Sequence, residues 1–176
     1  MLKSLRKAKI SKTILLLTIL FVLVSIRLFI FEPAQVVGHS MAPTIEDDQW
    51  ILMNQLSFSK DKPNRGDVVV IDLSDQIYIK RVIALPNETI RIQDQQLFID
   101  GLPYQQNFMT DDQRFWTHDI EQTHVPSEHY YVLGDNRKLS RDSRDSYTSL
   151  GFIHESDILG KAQMVIYPFN EWKFIY

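Results

Sequence analysis

The sequence predicts a mainly β domain that follows one long N-terminal helix. Two observations lead to this fold class. Residues 13–31 form the longest apolar run of the chain, and short β-rich segments separated by turn residues follow it. Strands at spacings of about 8–12 residues are typical of an all-β sandwich or barrel, and no stretch after residue 32 keeps a helical period.

The apolar run is long enough to cross a membrane. Its 19 residues span about 28 Å as a helix, close to the thickness of a hydrocarbon core. Its one charge, Arg27, lies near the end, where the long side chain can reach the headgroups. Residues 1–12 carry five Lys or Arg and no acid. The positive-inside rule therefore predicts a cytoplasmic tail at 1–12, a transmembrane helix at 13–31 and an extracytoplasmic domain at 32–176.

A cleaved signal peptide is the alternative interpretation, since such peptides also begin with a basic and then an apolar region. The run is longer than a usual signal-peptide core, and residues 32–37 offer no small-x-small cleavage site. We therefore prefer an uncleaved anchor. A mature chain that begins near residue 35 would contradict it.

The composition excludes several classes of function. Cysteine is absent, which excludes disulfides, thiol catalysis and thiolate metal sites. After residue 12 the chain carries 14 Lys and Arg against 22 Asp and Glu, a balance unlike that of a nucleic-acid-binding protein. The five histidines lack metal-ligand spacing. We expect no metal, no cofactor and no nucleic acid partner.

Strands are predicted where β-branched or alternating patterns occur between turn residues. Glu32-Pro33 is expected to end the helix, and Asp100-Gly101 is a tight-turn signal. Residues 105–128 are predicted to form an irregular surface excursion. The predicted strands cover residues 49–54, 68–71, 77–85, 89–92, 96–99, 129–133 and 160–167.

Ser40 and Lys80 are the residues best suited to chemistry. A serine hydroxyl is a weak nucleophile and needs a positioned base. Lys80 lies within a predicted strand, next to apolar residues. Loss of solvent there lowers the pKa of a lysine. A neutral lysine can accept the serine proton, and serine-lysine pairs are a known variant of serine hydrolases.

Four motifs follow the apolar run in order. They are SMAPT at 40–44, RGDVV at 65–69, YIKRV at 78–82 and GDNRKLSRDSR at 134–144. Together they resemble the type I signal peptidases of bacteria, in the short form with a single N-terminal span, over nearly the whole chain. The resemblance implies a largely antiparallel, barrel-like β domain. It also implies a membrane-bound serine endopeptidase that removes signal peptides from exported preproteins at the outer membrane face.

The motif matches also imply roles for individual residues. Ser40 would be the nucleophile and Lys80 the general base, with Ser140 orienting Lys80 through a hydrogen bond. A carboxylate on Lys80 would raise its pKa and disable it as a base. Asp142 is therefore expected to pair with Arg144 and not with Lys80. The supporting scaffold would also include Asp135 and Arg137.

The expected substrates are preproteins with small residues at positions −1 and −3 of the signal peptide. An extended peptide added beside a strand would point alternate side chains at one wall. Some family members carry a hydroxyl residue two positions before the nucleophile, where this chain has Gly38. The Ser40 amide is then the expected oxyanion donor, and a backbone bend at Gly38 could supply another. The candidate pocket residues are Val36, Val37, Met41, Ile45, Tyr78 and Ile79, with core packing as the alternative for Val36 and Val37.

Two other functions stay open at this point. One is a catalytically inactive, membrane-tethered β domain that binds exported peptides, although binding alone requires neither Ser40 nor Lys80. The other is a phosphoesterase, because residues 134–136 resemble a fragment of a metal site. Residues 145–150 are predicted to be a loop insertion relative to the family pattern. The expected partners are signal peptides and the lipid bilayer, and the lack of a large extra β domain indicates a Gram-positive bacterium.

Overall fold

The computed structural model describes residues 2–74, 76–110, 117–144 and 150–176. Helix α1 spans Leu2–Phe29, and the apolar side chains between Ile14 and Val24 are exposed. In this described part of the chain, none of the helices combines the length and the hydropathy that a membrane crossing requires. The transmembrane assignment of residues 13–31 therefore stays a prediction.

Short strands make up most of the domain that follows α1. In chain order they are β1 (Phe31–Gln35), β2 (Trp50–Asn54), β3 (Val68–Leu73), β4 (Gln76–Ala84), β5 (Thr89–Gln93), β6 (Gln96–Ile99), β7 (Leu102–Tyr104), β8 (Ile120–His124), β9 (His129–Leu133), β10 (Ile153–His154), β11 (Ile158–Tyr167) and β12 (Lys173–Phe174). Two single turns of 3₁₀ helix, Glu155–Asp157 and Phe169–Glu171, flank β11.

The strands form two antiparallel sheets. The large sheet has the order β1-β2-β11-β3-β4-β9-β10, with β12 added beside β11, and the small sheet has the order β7-β6-β5-β8. This confirms the predicted mainly antiparallel β class. Between the described strands, the pairing leaves β1 and β10 at the two ends of the large sheet, so this sheet is open and is not a closed barrel.

The sheet interiors follow from strong local preferences. Strand β3 begins with three valines and an isoleucine, all four buried, because β-branched side chains pack well on a pleated sheet. The tight turn at Asp100-Gly101 is confirmed. Both residues have positive φ, 50° and 77°, as the favoured two-residue hairpin turns require, and the turn joins β6 to β7.

Three apolar clusters hold the domain together. The first packs β2, β3 and β11 against the segment that carries Ser40, through Met41 and Ile45. The second joins the two sheets, because Ile83 of β4 and Leu133 of β9 pack with Ile90 and the other buried residues of the small sheet. The third lies between β3, β4, β9 and β10.

The sequence patterns missed some of the elements. Strand β1 contains Pro33, which a strand at the end of a sheet tolerates, and α1 ends at Phe29, ahead of the predicted break at Glu32-Pro33. Strand β8 is too polar to be recognised by pattern, so the prediction of an irregular excursion over residues 105–128 was wrong at Ile120–His124. The remaining missed strands, β7, β10 and β12, have two or three residues each. The predicted insertion falls mainly on residues 145–149, outside the described residues.

Candidate active site

Ser40 lies in the turn segment between β1 and β2, and its neighbours in the chain are anchored in the core. The side chains of Met41 and Ile45 are fully buried in the first apolar cluster. The Ile45 amide donates a hydrogen bond of 3.0 Å to the Met41 carbonyl. The backbone that carries Ser40 is thus fixed by two apolar side chains on its C-terminal side.

Lys80 lies within β4, between β3 and β9. Its side chain is 2% exposed. The Lys80 Nζ atom donates hydrogen bonds of 2.9 Å to the Ser40 Oγ atom and 2.9 Å to the Ile79 carbonyl. The structure thus brings together the two residues that the sequence predicts as nucleophile and base, although they are 40 positions apart.

Burial changes the acidity of Lys80. Loss of solvent lowers its pKa from 10.5 to about 8, while the negative charges of Asp142 and Asp135 oppose this shift more weakly. A buried ammonium group is disfavoured because the protein interior solvates charge poorly. A substantial share of Lys80 is therefore neutral at mildly alkaline pH, and a neutral amine can accept the proton of Ser40.

The loop after β9 packs directly on the Ser40 backbone. The Asn136 amide donates a hydrogen bond of 3.0 Å to the Ser40 carbonyl, and the Gly134 amide donates one of 3.0 Å to Asp142 Oδ2. A Cβ atom at Gly134 would lie 2.1 Å from the Ser140 Oγ atom and 2.4 Å from the Ser40 carbonyl oxygen. Only glycine fits between these two groups.

The expected hydrogen bond between Ser140 and Lys80 is not formed. The Ser140 Oγ atom is buried and has no hydrogen-bond partner among the described residues. It packs against the Cα atom of Gly134, while Lys80 Nζ is hydrogen bonded to Ser40 and to Ile79. That part of the sequence prediction was therefore wrong for this conformation.

The expected pairing of Asp142 with Arg144 is present. Arg144 Nε lies 2.8 Å from Asp142 Oδ1, and Arg144 Nη2 lies 3.0 Å from Asp142 Oδ2. Arg144 Nη2 also donates a 2.8 Å hydrogen bond to the Arg137 carbonyl. The Asp142 carboxylate thus accepts hydrogen bonds from Arg144 and from the Gly134 amide. Within the part of the chain described, it makes no hydrogen bond to Lys80.

Asp135 and Arg137 lie in the same buried scaffold. Arg81 Nε and Nη2 contact the two carboxylate oxygens of Asp135 at 2.9 and 2.6 Å. Thr44 donates a further hydrogen bond of 2.6 Å to Asp135 Oδ2. Arg137 donates to the Gly134 carbonyl at 3.0 Å. Its other partners are the side chains of Thr117 and Gln106.

Arg81 and Thr44 are structural contributors that the sequence analysis missed. The available signal was weak, because Arg81 follows Lys80 in an otherwise apolar strand. An arginine predicted to be buried requires a carboxylate partner, since arginine is almost never fully buried unpaired.

The amide of Gly38 is not available as an oxyanion donor. It donates a 2.7 Å hydrogen bond to Asp47 Oδ1, with Gly38 in the left-handed region at φ 97°. By contrast, no described residue accepts a hydrogen bond from the Ser40 amide. The bend at Gly38 exists, but its own N–H group is occupied by Asp47, a residue to which the sequence analysis gave no role.

The candidate pocket residues divide into two groups. Val36, Met41 and Ile45 are buried in the first apolar cluster. Their assignment as direct contacts of a substrate is corrected to core packing, because they offer almost no surface. Val37 is 90% exposed, and the side chains of Tyr78 and Ile79 next to Lys80 are half-buried. Among the described residues, no three His, Cys, Asp or Glu side chains cluster as metal ligands would.

Comparison with known proteins places this geometry in context. The family model described as "Signal peptidase, peptidase S26" matches residues 8–167. Signal peptidase I S of Bacillus subtilis is 34% identical over 171 residues, which cover 93% of this chain and 90% of that protein. Signal peptidase I T of the same bacterium is 36% identical over 157 residues, covering 84% of this chain and 80% of that protein. The crystal structure of a signal peptidase I from Enterococcus faecalis superimposes with a TM-score of 0.51 at 30% identity, covering 57% of this chain and 97% of that one.

Proposed function

This chain belongs to the S26 family of signal peptidases, and on that premise we propose that it removes N-terminal signal peptides from exported preproteins with Ser40 as nucleophile and Lys80 as general base. The observation that carries the proposal is the 2.9 Å distance between Lys80 Nζ and Ser40 Oγ. The lowered pKa of Lys80 supports it. A general base must be within hydrogen-bond reach of the proton that it removes and must be deprotonated at the working pH.

The proposed reaction has two halves. The Ser40 Oγ atom attacks the carbonyl carbon of the scissile bond while the neutral Lys80 amine takes its proton. The resulting ammonium then gives that proton to the leaving amine, so an acyl-enzyme forms and the mature protein departs. In the second half Lys80 takes a proton from a water molecule, which attacks the ester carbonyl carbon. The Lys80 ammonium then returns that proton to the Ser40 Oγ atom as the ester bond breaks and the signal peptide leaves with a free carboxyl group. The Ser40 amide, which has no acceptor among the described residues, is the proposed donor to the oxyanion.

The buried scaffold keeps this chemistry possible. A carboxylate hydrogen bonded to Lys80 would stabilise its ammonium form and remove the base. Asp142 and Asp135 are instead occupied by Arg144 and Arg81. Each of these charges is thereby paired with an arginine.

We assign the substrate class from the exposed residues next to the site. Val37, Tyr78 and Ile79 offer apolar surface beside Ser40 and Lys80, where an extended signal peptide with small residues at −1 and −3 would bind. A peptide bound as an additional strand presents alternate side chains to one wall, which gives these two positions a shared size limit.

We also propose that the chain is a single-pass protein of the cell membrane of a Gram-positive bacterium. Residues 13–31 would cross the lipid bilayer, with residues 1–12 in the cytoplasm and residues 32–176 outside. The basic tail and the exposed apolar side chains of α1 support this arrangement. N-terminal sequencing of the mature protein tests it, because cleavage near residue 35 would contradict a retained anchor.

The central experiment is cleavage of a preprotein whose signal ends in Ala-x-Ala, in detergent and with a chelator present. The wild type is expected to cut after the −1 alanine, whereas folded Ser40→Ala and Lys80→Ala variants are expected to be inactive. Equal behaviour of all three proteins would contradict the dyad. Binding of the peptide without cleavage by the wild type would favour the inactive binding domain, and loss of cleavage with chelator would favour a metal enzyme.

A further inference from the structure

The C-terminal strap, defined as residues 171–176, contains β12 and pairs antiparallel with the later part of β11. Lys173 and Phe174 pair with Val165 and Met164, and the Ile175 amide donates a 2.9 Å hydrogen bond to the Gln163 carbonyl. The side chains alternate, since Phe174 is 63% exposed and Ile175 is 6% exposed. The strap thus has an inner face that can act on the rest of the domain. The family match ends at residue 167, so the strap lies beyond the residues that define the family here.

The first residue of the strap contacts the nucleophile segment, defined as residues 36–49 between β1 and β2. Glu171 Oε2 accepts a 2.6 Å hydrogen bond from Gln49 Nε2. The Gln49 Oε1 atom in turn accepts a 2.9 Å hydrogen bond from the Glu46 amide, and Gln49 is buried. Glu171 therefore fixes the residue that closes the turn after Ser40.

The penultimate residue of the strap, Ile175, shares an apolar cluster with the same segment. Ile175 belongs to the buried cluster that also contains Met41 and Ile45, the two residues that anchor the Ser40 backbone. The Lys173 ammonium lies 3.5 Å from the Pro43 carbonyl oxygen, at the outer limit of a hydrogen bond. Ile175 is therefore the buried apolar residue of the strap that shares a cluster with the nucleophile segment.

The last residue of the strap is hydrogen bonded to Arg81, the neighbour of Lys80 in β4. The main-chain oxygen of Tyr176 accepts a 2.5 Å hydrogen bond from Arg81 Nη1. Arg81 holds both carboxylate oxygens of Asp135, and Asp135 accepts the hydrogen bond from Thr44. This chain of contacts leads back to the nucleophile segment, four residues after Ser40.

From these contacts we propose that the C-terminal strap is a positioning element that holds the Ser40 segment in register with Lys80. The expected change in kcat rests on the proposed function, whereas the expected loosening of the Ser40 segment does not. The strap touches neither reacting atom and acts through Gln49, the first apolar cluster and Arg81. Because small displacements of a reacting group can lower rates on the order of a hundredfold, loosening the strap is expected to lower kcat.

The test compares two isoleucines of nearly equal burial in the full-length protein in detergent. Ile175→Ala loosens the strap, whereas Ile99→Ala creates a similar cavity in the small sheet, where the wild-type side chain is 8% exposed. We expect Ile175→Ala to lower kcat for the Ala-x-Ala preprotein at least tenfold with little change in KM. Ile99→Ala should retain kcat at a temperature where both variants are folded. An equal effect of the two variants on kcat would overturn the proposal, because it would then reflect general stability.

A second pair of variants tests the polar link with a smaller perturbation. Glu171→Gln keeps an oxygen acceptor for Gln49, and Glu171→Ala removes it. The glutamine variant is expected to keep wild-type kcat, and the alanine variant to lose it severalfold. If Ile175→Ala does not fold, Ile175→Val removes one methyl group from the same position, and its kcat is compared with that of Ile99→Val.

Hydrogen exchange separates failure of the strap from failure of the proposed peptidase activity. The amides of Ile45 and Val36 donate to carbonyls within or beside the nucleophile segment. In Ile175→Ala they are expected to exchange at least tenfold faster, while the amides of β5 and β6 keep wild-type rates. Unchanged exchange of Ile45 and Val36 would overturn the strap whatever the activity. Faster exchange in a protein that cleaves no preprotein would refute only the proposed function.

Discussion

The two sheets of this protein use their interiors differently. In the small sheet every buried strand residue is apolar, as Ile90, Ile92, Leu97 and Ile99 show. The large sheet and the loop after β9 bury charged side chains instead, namely Lys80, Arg81, Asp135, Arg137 and Asp142. Burying charge is costly unless the charge is paired or neutralised. The small sheet thus buries apolar side chains only, whereas the large sheet combines two apolar clusters with the buried charges of the candidate active site, whose burial costs stability.

Two neighbours in β4 show both ways of meeting that cost. Arg81 is fully buried beside Asp135, which it contacts through two nitrogen atoms. Lys80 is almost as buried, but its Nζ atom donates hydrogen bonds to a hydroxyl and a carbonyl, and burial lowers its pKa to about 8. Adjacent residues therefore meet this cost differently, since Arg81 is paired with a carboxylate and Lys80 is shifted toward its neutral form.

Of the variants considered, replacement of Lys80 with methionine should have the largest effect on cleavage. Lys80→Met removes the proposed general base, and we expect preprotein cleavage to fall on the order of 10²–10⁴-fold. The same change should stabilise the fold by up to about 3 kcal/mol at pH 7, because a pKa lowered from 10.5 to about 8 disfavours the folded state. Denaturant unfolding and cleavage rates measure the two effects.

The sign of the stability effect depends on pH. The penalty on folding from the Lys80 charge is fully present below pH 8 and disappears as the pH rises through 10.5, above which the lysine is neutral in both states. The advantage of Lys80→Met should shrink over that range. Ile92→Ala in the small sheet is the control, and it should lose stability while keeping kcat. A Lys80→Met variant that is less stable than wild type at pH 7 would contradict the assignment of a strained, buried lysine.

A methyl group at Gly134 should have the next largest effect. Gly134→Ala places a Cβ atom 2.4 Å from the Ser40 carbonyl oxygen and 2.1 Å from Ser140 Oγ, so the loop or the nucleophile must move. We expect cleavage to fall on the order of a hundredfold, since positioning is lost. Gly101→Ala is the matched control, because it strains a positive φ in open space and should reduce stability without reducing kcat. Equal activities of the two variants would show that the contact at Gly134 is dispensable.

The pH dependence of cleavage should distinguish the buried Lys80 from an exposed lysine. The kcat/KM for cleavage should rise about tenfold per pH unit below pH 8 and level off above it, because only neutral Lys80 can accept the serine proton. Lys62 provides the control, since it is exposed and its pKa is raised by Glu155, so Lys62→Met should leave the profile unchanged. A rate that is already flat from pH 5 upward would mean that another group is the base.

The sequence predicted the elements whose signals are local. Strands with β-branched runs, such as β3, and the turn at Asp100-Gly101 were recognised because neighbouring residues determine them. Two-residue strands such as β10 and β12 carry too few side chains to show a pattern. They pair with the longer strands β9 and β11, which come to lie beside them only in the folded chain.

The site residues that lie within the sequence motifs could be predicted, whereas their long-range contacts could not. The motif set singled out Ser40 and Lys80, and the structure brings these two residues into contact. The strap, the Arg81–Asp135 pair and the contact between Asp47 and Gly38 depend on residues distant in sequence. No spacing rule indicates which of many carboxylates meets a given cation. The Ser140 prediction was wrong for a related reason, because the direction of a hydroxyl depends on packing against Gly134.

The smallest expected effect concerns two serines in the same loop. Ser143 Oγ donates a 2.7 Å hydrogen bond to the Gly151 carbonyl and accepts one of 3.1 Å from the Val132 amide, so Ser143→Ala should lower the free energy of unfolding by about 1–2 kcal/mol. Ser140 Oγ is buried without such a partner, and removal of an unpaired hydroxyl should change that free energy by less than about 1 kcal/mol. Denaturant titration of both variants at pH 7 measures the difference. If Ser140→Ala is as destabilising as Ser143→Ala, the Ser140 hydroxyl has a partner in solution, and Lys80 becomes the first candidate for it.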